Sequence, residues 1–191
     1  MTLSTQELVE AALFTAIMCI LTVIVRMLQP VVVIPFSLQP LVMLLAAIML
    51  SPRGVFLSML AYLLLGLIGL PVFSLPPYGG PAYILVPSFG FLLAFPIAGW
   101  VQSRLIRRTS GLIYFAAGVV AIVIYYLIGL PYMYFILNFY LGRTIDVLQI
   151  IKIGFLPFIT FDLLKAGAAA WLALETGRRL GISRENNRLR T

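Results

Sequence analysis

The sequence contains no histidine, one cysteine and few charged residues, and each shortage excludes a kind of function. Without histidine there is no imidazole to act as an acid, a base or a metal ligand. The single Cys19 excludes an internal disulfide and a paired-cysteine redox motif. Charged residues make up 10% of the 191 positions and hydrophobic residues 62%, whereas soluble domains average about 25% and 45–50%. A soluble enzyme and a disulfide-rich secreted module are therefore excluded, and a single-domain integral membrane protein (residues 1–191) is predicted.

Long apolar runs are what the chain has in abundance. A helix needs about 20 mostly apolar residues to cross a hydrocarbon core of about 30 Å. Six runs approach this length, which predicts an all-α protein with six transmembrane helices. The runs are residues 11–28, 31–50, 55–70, 89–105, 112–130 and 153–174. Glu7 and Glu10 precede the first run where a cleavable signal would have basic residues, so this run is expected to remain as a span.

The distribution of basic residues predicts the orientation. Cytoplasmic loops of membrane proteins carry an excess of lysine and arginine. With six spans both termini share a side, and that side holds nine of the thirteen basic residues. These nine are Arg53, Arg104, Arg107, Arg108, Arg178, Arg179, Arg184, Arg188 and Arg190. The opposite side holds only Arg26, Arg143 and Lys152, so both termini are predicted to be cytoplasmic. Because the basic residues lie at the ends of the apolar runs, the net charge of +7 indicates membrane orientation rather than nucleic-acid binding.

The predicted outer connections are longer than the inner ones and rich in glycine, proline and aromatic residues. Residues 73–87 read FSLPPYGGPAYILVP, and loops of this length are usually functional or disordered. Their Tyr78, Tyr83 and Ile84 favour an ordered lid over a cavity, although a plain turn is the alternative. Residues 138–152 carry apolar side chains at helical spacing and predict a helix along the outer membrane surface.

Two ionisable residues, Asp162 and Lys165, stand well inside the last apolar run. A charged side chain at such depth costs at least about 2.5–3.5 kcal/mol, so these residues are rare and usually functional. Their i, i+3 spacing places them on one helix face, where they can pair. One interpretation is a self-neutralised pair that only helps helices to pack. The other is a polar cavity open to the outside, in which Lys165 meets the anionic group of a small carboxylate and Asp162 accepts a hydrogen bond.

Three further features bear on function. Gln39 has an amide that can donate and accept, and it is either an interfacial residue or a ligand contact. The chain lacks the GxxxxGK[ST] motif and paired inverted halves, so uphill transport would need energy from another protein. Ala12 and Ala16 form a small-xxx-small pattern, which suits packing within the bundle or docking against a partner subunit.

Four segments read IPFSLQPLVMLLAAIML, SPRGVFLSMLAYLLLGLIGLPVF, YGGPAYILVPSFGFLLAF and PFITFDLLKA. Together they resemble the BioY family, the biotin-binding S components of energy-coupling factor (ECF) transporters. The first is similar to the family's Pro-Phe-x-x-Gln-Pro segment, and the second to its Gly-x-x-x-Gly-Leu-Pro-Val-Phe stretch. The third resembles the family's glycine-rich lid, and the fourth its Pro-Phe-x-x-x-Asp-x-x-Lys signature. The resemblance extends over nearly the whole chain and is strongest from residue 34 to residue 95.

The resemblance implies a six-helix S component of the prokaryotic plasma membrane that captures biotin from the outside, without ATPase activity or a cofactor of its own. It also implies a transmembrane coupling subunit and two ATP-binding-cassette ATPases as partners. The family's alanine face corresponds to Ala12 and Ala16 as the partner interface. The implied ligand-binding residues, with Tyr83 of the lid added, are Gln39, Tyr78, Gly79, Gly80, Tyr83, Ser88, Asp162 and Lys165.

The chain departs from the family pattern at two places near the expected pocket. Residues 86–91 read VPSFGF where the family usually has Gly-Pro-Thr-Gly-Gly-Tyr, and residues 160–161 read TF in place of Pro-Gly. Larger residues there would reshape the pocket for a related carboxylate such as dethiobiotin or lipoate. An intramembrane enzyme with Asp162 and Lys165 as acid and base is a remote alternative, since histidine, metal ligands and an activated nucleophile are lacking. A purely structural subunit is disfavoured by the two buried charges.

Overall fold

The computed structural model describes residues 4–28 and 37–180, which form helices joined by loops. The α-helices are α1 (Thr5–Leu28), α2 (Gln39–Met49), α3 (Pro52–Leu67), α4 (Phe89–Leu105), α5 (Gly111–Phe135), α6 (Val147–Gly154) and α7 (Leu156–Leu180). A short 3₁₀ helix lies at Pro81–Leu85, and a π-helical turn at Ile136–Tyr140 extends α5. Neither described stretch contains a β-strand, and the prediction of an all-α protein is confirmed.

Three of these helices are long and apolar enough to cross a membrane. They are α1, α5 together with its π-helical turn, and α7. The apolar helices α2 and α3 are shorter. The chain is thus a multi-pass membrane protein, whereas the count of six spans and the cytoplasmic termini stay predictions. Residues 31–36 of the second run and the arginines beyond residue 180 lie outside the described residues.

Proline residues mark where α2 and α3 begin. Pro40 lies in the first turn of α2, and Pro52 is the first residue of α3. The N–H groups of a first helical turn have no intrahelical partner, so a proline there removes no helix hydrogen bond. Ser51 caps α3, because its hydroxyl accepts a hydrogen bond from the Gly54 N–H at 3.1 Å. Pro40 lies within the second apolar run, residues 31–50, but it belongs to the start of a helix. Helix α2 is therefore shorter than that run.

Reciprocal glycine contacts bring α4 and α5 close together. Gly129 of α5 lies against the ring of Phe91, and Gly90 of α4 lies against the side chain of Tyr132. A Cβ atom at either glycine would overlap its neighbour, so both positions require the smallest residue. Beyond this pair, α4 packs on α3, α1 on α3, and α7 on α2 and α5. The glycine contacts therefore fix where the aromatic side chains of α4 and α5 lie.

The connection between α3 and α4 is an ordered loop that folds back on the end of α3. The Gly80 N–H donates to the Gly66 carbonyl at 2.7 Å, and the Phe73 N–H donates to the Tyr78 carbonyl at 2.8 Å. Tyr78 has a φ of 67°, in the left-handed region that side chains seldom adopt. Gly79 approaches the Leu70 carbonyl so closely that a Cβ atom would overlap it. We call residues 69–80 the lid loop.

The segment 138–152 is helical only at its two ends, and the expectation of one continuous surface helix is wrong for residues 141–146. The Asn138 amide bonds the backbone of Ile145 in both directions, at 3.0 Å to its carbonyl and 2.8 Å from its N–H. This pair of bonds closes a turn in which Gly142 takes a φ of 62°. Asp146 then caps α6 by accepting from the Gln149 N–H at 2.6 Å.

Candidate functional site

A cavity of about 300 Å³ lies among the lid loop and helices α2, α4, α5, α6 and α7. Small-molecule sites commonly measure about 300–1,000 Å³ and combine apolar walls with a few placed polar groups. The side chains with polar groups in this wall are Ser37, Gln39, Ser74, Tyr83, Ser88, Tyr125, Tyr126, Asp162 and Lys165. The cavity therefore offers both hydrogen-bond donors and acceptors to a small solute.

Asp162 and Lys165 form a buried ion pair in the cavity wall. Lys165 Nζ donates to Asp162 Oδ1 at 2.8 Å, and the Tyr126 hydroxyl donates to Asp162 Oδ2 at 2.7 Å. Asp162 is 4% exposed and Lys165 is 8% exposed. Charges withdrawn from water need partners of this kind, because an unpaired buried charge is strongly destabilising. The pair lines a cavity rather than a lipid-facing surface, which favours the binding interpretation over packing alone.

Gln39 is held in place at the start of α2 by two neighbouring hydroxyl groups. Its Nε2 donates to the Tyr62 hydroxyl at 2.5 Å, and the Ser37 hydroxyl donates to its Oε1 at 2.8 Å. The Tyr62 hydroxyl in turn donates to the Val72 carbonyl of the lid loop at 2.9 Å. An amide has two N–H donors and two acceptor lone pairs, so each end of Gln39 keeps capacity for a ligand.

The hydroxyl groups of Tyr83 and Tyr125 are buried in the cavity wall, and within residues 4–28 and 37–180 neither makes a hydrogen bond of good geometry. A buried hydroxyl left unsatisfied costs about 1–3 kcal/mol. Burial raises the pKa of Tyr83, so this hydroxyl stays protonated and can donate. Two such groups facing one cavity offer hydrogen-bonding capacity to a polar ligand.

Aromatic rings form the apolar part of the wall. Phe91 meets Tyr125 and Tyr126 edge to face, with ring centroids 6.4 Å and 5.7 Å apart. Phe95, one turn further along α4, meets Tyr125 at 5.9 Å. Phe158 of α7 also lines the cavity. Edge-to-face contacts hold such rings in defined positions, so the wall is a fixed surface for an apolar group.

The structure brings five of the eight predicted binding residues to this cavity, and three lie elsewhere. Those that line it are Gln39, Tyr83, Ser88, Asp162 and Lys165. Tyr78, Gly79 and Gly80 belong to the lid loop but are not among the lining residues. Their backbone contacts instead fasten the loop to α3.

Sequence reasoning missed five aromatic residues in the cavity wall, Phe91, Phe95, Tyr125, Tyr126 and Phe158. The four-residue spacing of Phe91 and Phe95 was the available signal, since it places both rings on one face of a helix. The same spacing also occurs on lipid-facing surfaces. The pattern alone therefore does not distinguish a pocket from a lipid contact.

Ala12 and Ala16 lie on the exposed face of α1. Their neighbours on this face, Leu13 and Ile20, are each 58% exposed. The small-residue pattern is therefore exposed, rather than packed, in the part of the chain that the structure describes. The geometry favours the other interpretation, docking against a partner.

The ionisable groups of the cavity do not make a metal centre. In the described part of the chain no three histidine, cysteine, aspartate or glutamate residues approach closely enough to hold a metal ion. Both oxygens of Asp162 accept hydrogen bonds from neighbouring side chains. What the site supplies is one ion pair, neutral hydrogen-bonding groups and aromatic walls. This is chemistry for holding a small solute with polar and apolar parts.

Comparison with known proteins yields one family and a consistent set of relatives. A sequence model of the BioY family matches residues 1–181. The chain is 35% identical over 181 residues to the biotin transporter BioY of Thermotoga maritima, covering 94% of this chain and 99% of that protein. It is 34% identical over 182 residues to the probable biotin transporter BioY of Bacillus subtilis, covering 93% of both.

One solved structure shares the fold. It is the crystal structure of the S-component for biotin from an ECF-type ABC transporter, with a TM-score of 0.66 and 24% sequence identity. The match covers 93% of this chain and 95% of that one. The similarity extends over the whole arrangement of helices rather than one motif.

Proposed function

Because the chain belongs to the BioY family, we propose that it is the biotin-binding S component of an ECF-type importer and has no enzymatic activity. It captures biotin from outside the prokaryotic plasma membrane in the cavity between the lid loop and α7. The observation that carries this proposal is the buried Asp162–Lys165 pair facing a cavity with two unsatisfied tyrosine hydroxyls.

The chemistry of biotin matches the groups in the cavity wall. Biotin has a ureido ring with two N–H donors and one carbonyl acceptor, an apolar sulfur ring and chain, and a terminal carboxylate. Gln39 offers an acceptor for the N–H groups, and the hydroxyls of Tyr83 and Tyr125 can donate to the carbonyl. The aromatic wall takes the apolar part. Lys165 supplies the positive charge for the carboxylate, while Asp162 keeps that ammonium in position.

Delivery into the cell requires partners, because the sequence carries no nucleotide-binding motif. A transmembrane coupling subunit docks on the alanine face of α1, at Ala12 and Ala16. Two ATP-binding-cassette ATPases bound to that subunit supply the energy. The S component contributes substrate capture and the membrane-embedded binding site.

Of the two departures from the family pattern, only one reaches the cavity. Ser88 lies in the cavity wall, and Phe89 beside it is buried against Tyr83 at a ring distance of 5.9 Å. Thr160 and Phe161 are exposed on the surface of α7. The second departure therefore leaves the cavity unchanged, while the first places Ser88 and Phe91 in its wall.

Binding of labelled biotin to the purified protein in detergent tests the proposal. We expect saturable binding of biotin, with lipoate at least about a hundredfold weaker because it lacks the ureido ring that the buried polar groups would bind. Dethiobiotin keeps the ureido ring and is expected to fall between the two. Tighter binding of lipoate or dethiobiotin than of biotin would contradict the assignment of the ligand.

Replacing the two charged residues tests the site itself. Asp162→Asn and Lys165→Ala should each weaken biotin binding by about a hundredfold, since each removes a charged partner from a buried site. The chain offers matched controls, because its other aspartate and lysine, Asp146 and Lys152, lie exposed on α6 and its N-cap. Asp146→Asn and Lys152→Ala should bind like the parent protein. If Asp162→Asn and Lys165→Ala also bind like the parent, the proposed site is wrong.

A change in the ligand tests the role of Lys165. Biotin methyl ester lacks the carboxylate charge, so it should bind the parent more weakly than biotin does. Lys165→Ala should lose little further affinity for the ester, because the interaction is already absent. If Lys165→Ala lowers the affinity for biotin and for the ester by the same factor, Lys165 does not face the carboxylate.

A further inference from the structure

Arg26, near the end of α1, holds the lid loop by three contacts. One guanidinium nitrogen, Nη1, donates to the carbonyls of Pro71 and Phe73, at 2.8 Å and 3.1 Å. The guanidinium carbon also lies 4.4 Å from the centre of the Tyr78 ring, a cation–π arrangement. A single side chain thus connects α1 with both arms of the loop.

The same short segment of the lid loop is held from the cavity side as well. Val72 lies between Pro71 and Phe73, and its carbonyl accepts a hydrogen bond from the Tyr62 hydroxyl at 2.9 Å. Tyr62 is the residue that holds the amide of Gln39. Three consecutive backbone carbonyls therefore accept hydrogen bonds. Those of Pro71 and Phe73 accept from Arg26, and that of Val72 accepts from Tyr62, which also holds the cavity residue Gln39.

This segment also positions part of the cavity wall. The ring of Phe73 is fully buried and lies 4.3 Å from the ring of Tyr83, whose unsatisfied hydroxyl lines the cavity. Ser74 and Leu75, the next two residues, line the cavity directly. A displacement of residues 71–73 would therefore move Tyr83 and open the wall formed by Ser74 and Leu75.

We propose that Arg26 is a positioning residue that latches the lid loop closed over the ligand and so sets how slowly the ligand leaves. Arg26 is not a lining residue of the cavity, so it acts through the loop rather than by contact with the ligand. This inference rests on the proposed function only in its dissociation test, which uses biotin as the ligand. The latch itself is a property of the ligand-free protein.

Hydrogen exchange of the ligand-free protein tests the latch without any ligand. The N–H groups of Phe73, Tyr78 and Gly80 are hydrogen-bonded within the lid loop or to the end of α3. In Arg26→Ala we expect these amides to exchange about ten- to a hundredfold faster, because hydrogen bonds to a charged group are worth about 1.5–3 kcal/mol. Arg143→Ala is the matched control, since Arg143 is an exposed arginine on another loop. Equal exchange in the two variants would overturn the proposal.

A purely structural role for Arg26 predicts a different exchange pattern. If Arg26 only supported the fold, exchange would rise in α4 and α5 as much as in the lid loop. That outcome also contradicts the latch. If Arg26→Ala does not accumulate as a folded protein, the same exchange measurement is made on Arg26→Lys. Lysine keeps the positive charge but lacks the planar guanidinium. The lid-loop amides of Arg26→Lys should exchange faster than those of Arg143→Lys.

Dissociation of labelled biotin, measured by chase with unlabelled biotin, tests the consequence for the ligand. Arg26→Ala should release biotin about ten- to a hundredfold faster than the parent and the Arg143→Ala control, with a smaller change in the association rate. Release at the parent rate despite faster loop exchange would show that the loop does not hold the ligand in. If the parent protein binds no biotin, the proposed function fails, and the exchange measurement still decides whether Arg26 latches the loop.

Discussion

The Tyr125 hydroxyl shows how a single atom can serve binding at the expense of stability. It is buried in the cavity wall and makes no hydrogen bond of good geometry in the described part of the chain. Tyr125→Phe removes this unsatisfied group while keeping the ring that packs on Phe91 and Phe95. We expect the variant to melt at the same or a higher temperature but to bind biotin about tenfold more weakly, because it loses the hydrogen bond that the hydroxyl would make to the ligand.

The control for this variant is Tyr114→Phe, the same change at a buried tyrosine of α5 that does not line the cavity. Its biotin affinity should equal that of the parent protein. Parent-like affinity in Tyr125→Phe would show that the hydroxyl is not a ligand contact. The melting temperature and the affinity are measured on the same detergent-purified samples.

At the scale of single residues, the sequence predicts the charged part of the site far better than the aromatic part. A charge within an apolar run is costly, so Asp162 and Lys165 stand out without any structure. Tyr125 and Tyr126 carry no such signal, because an aromatic residue in a membrane helix can face lipid, a neighbouring helix or a cavity at similar cost. In the sequence Arg26 is only one of three basic residues on the predicted outer side, and its contacts with Pro71 and Phe73 depend on how the loop folds.

At the scale of elements, the packing of α4 against α5 depends on Gly129. A Cβ atom there would overlap the Phe91 ring, which lines the cavity. Gly129→Ala should therefore lower the free energy of unfolding by about 1–3 kcal/mol and weaken biotin binding, because Phe91 is displaced toward the ligand. Thermal unfolding and biotin titration measure the two effects.

Gly167 of α7 provides the comparison for this prediction. A Cβ atom there meets nothing within 4 Å. Gly167→Ala should be neutral or stabilise the protein by up to about 1 kcal/mol, since alanine favours the helix more than glycine does. If both substitutions have the same effect, close packing at Gly129 is not what makes it sensitive.

The helices themselves were largely predictable, and their ends were less so. Apolar runs of span length follow from the thickness of the membrane, and they place α4 at its observed bounds, α3 within three residues, and α1, α5 and α7 within six. The start of α2 and the turn after Asn138 depend on local contacts. Pro40 opens a helix instead of interrupting one, and the Asn138 side chain closes a turn where apolar spacing alone predicts a helix.

At the scale of the whole molecule, α1 carries an exposed alanine face and a contact with the lid loop at different positions along its length. Ala12 and Ala16 lie on its exposed face in the first half, and Arg26 contacts the lid loop in its last turn. Thr15, between the alanines, instead faces α3, where its hydroxyl lies 3.1 Å from the hydroxyl of Ser58. One face of α1 therefore anchors the helix to the bundle while another remains open to a partner.

The open face predicts a separation between binding and transport. Ala12→Trp and Ala16→Trp add a bulky side chain to a surface that is exposed in the described protein and lies away from the cavity lining, so biotin binding in detergent should stay at the parent level. Docking of a coupling subunit that approaches the alanines closely should fail. An overpacked contact costs about 1–3 kcal/mol, which corresponds to a loss of about tenfold or more in assembly. Co-purification with the co-expressed coupling subunit, and biotin uptake by cells, measure this loss.

Ala168→Trp separates this effect from the general consequences of an added tryptophan. Ala168 is also an exposed alanine on a membrane-spanning helix, but it lies on α7. It should leave both assembly and uptake unchanged. If Ala12→Trp and Ala16→Trp assemble as well as Ala168→Trp, the partner docks elsewhere and the exposed alanines only face lipid. If they lose biotin binding as well as assembly, the two functions share one surface, and the separation between the open face of α1 and the cavity does not hold.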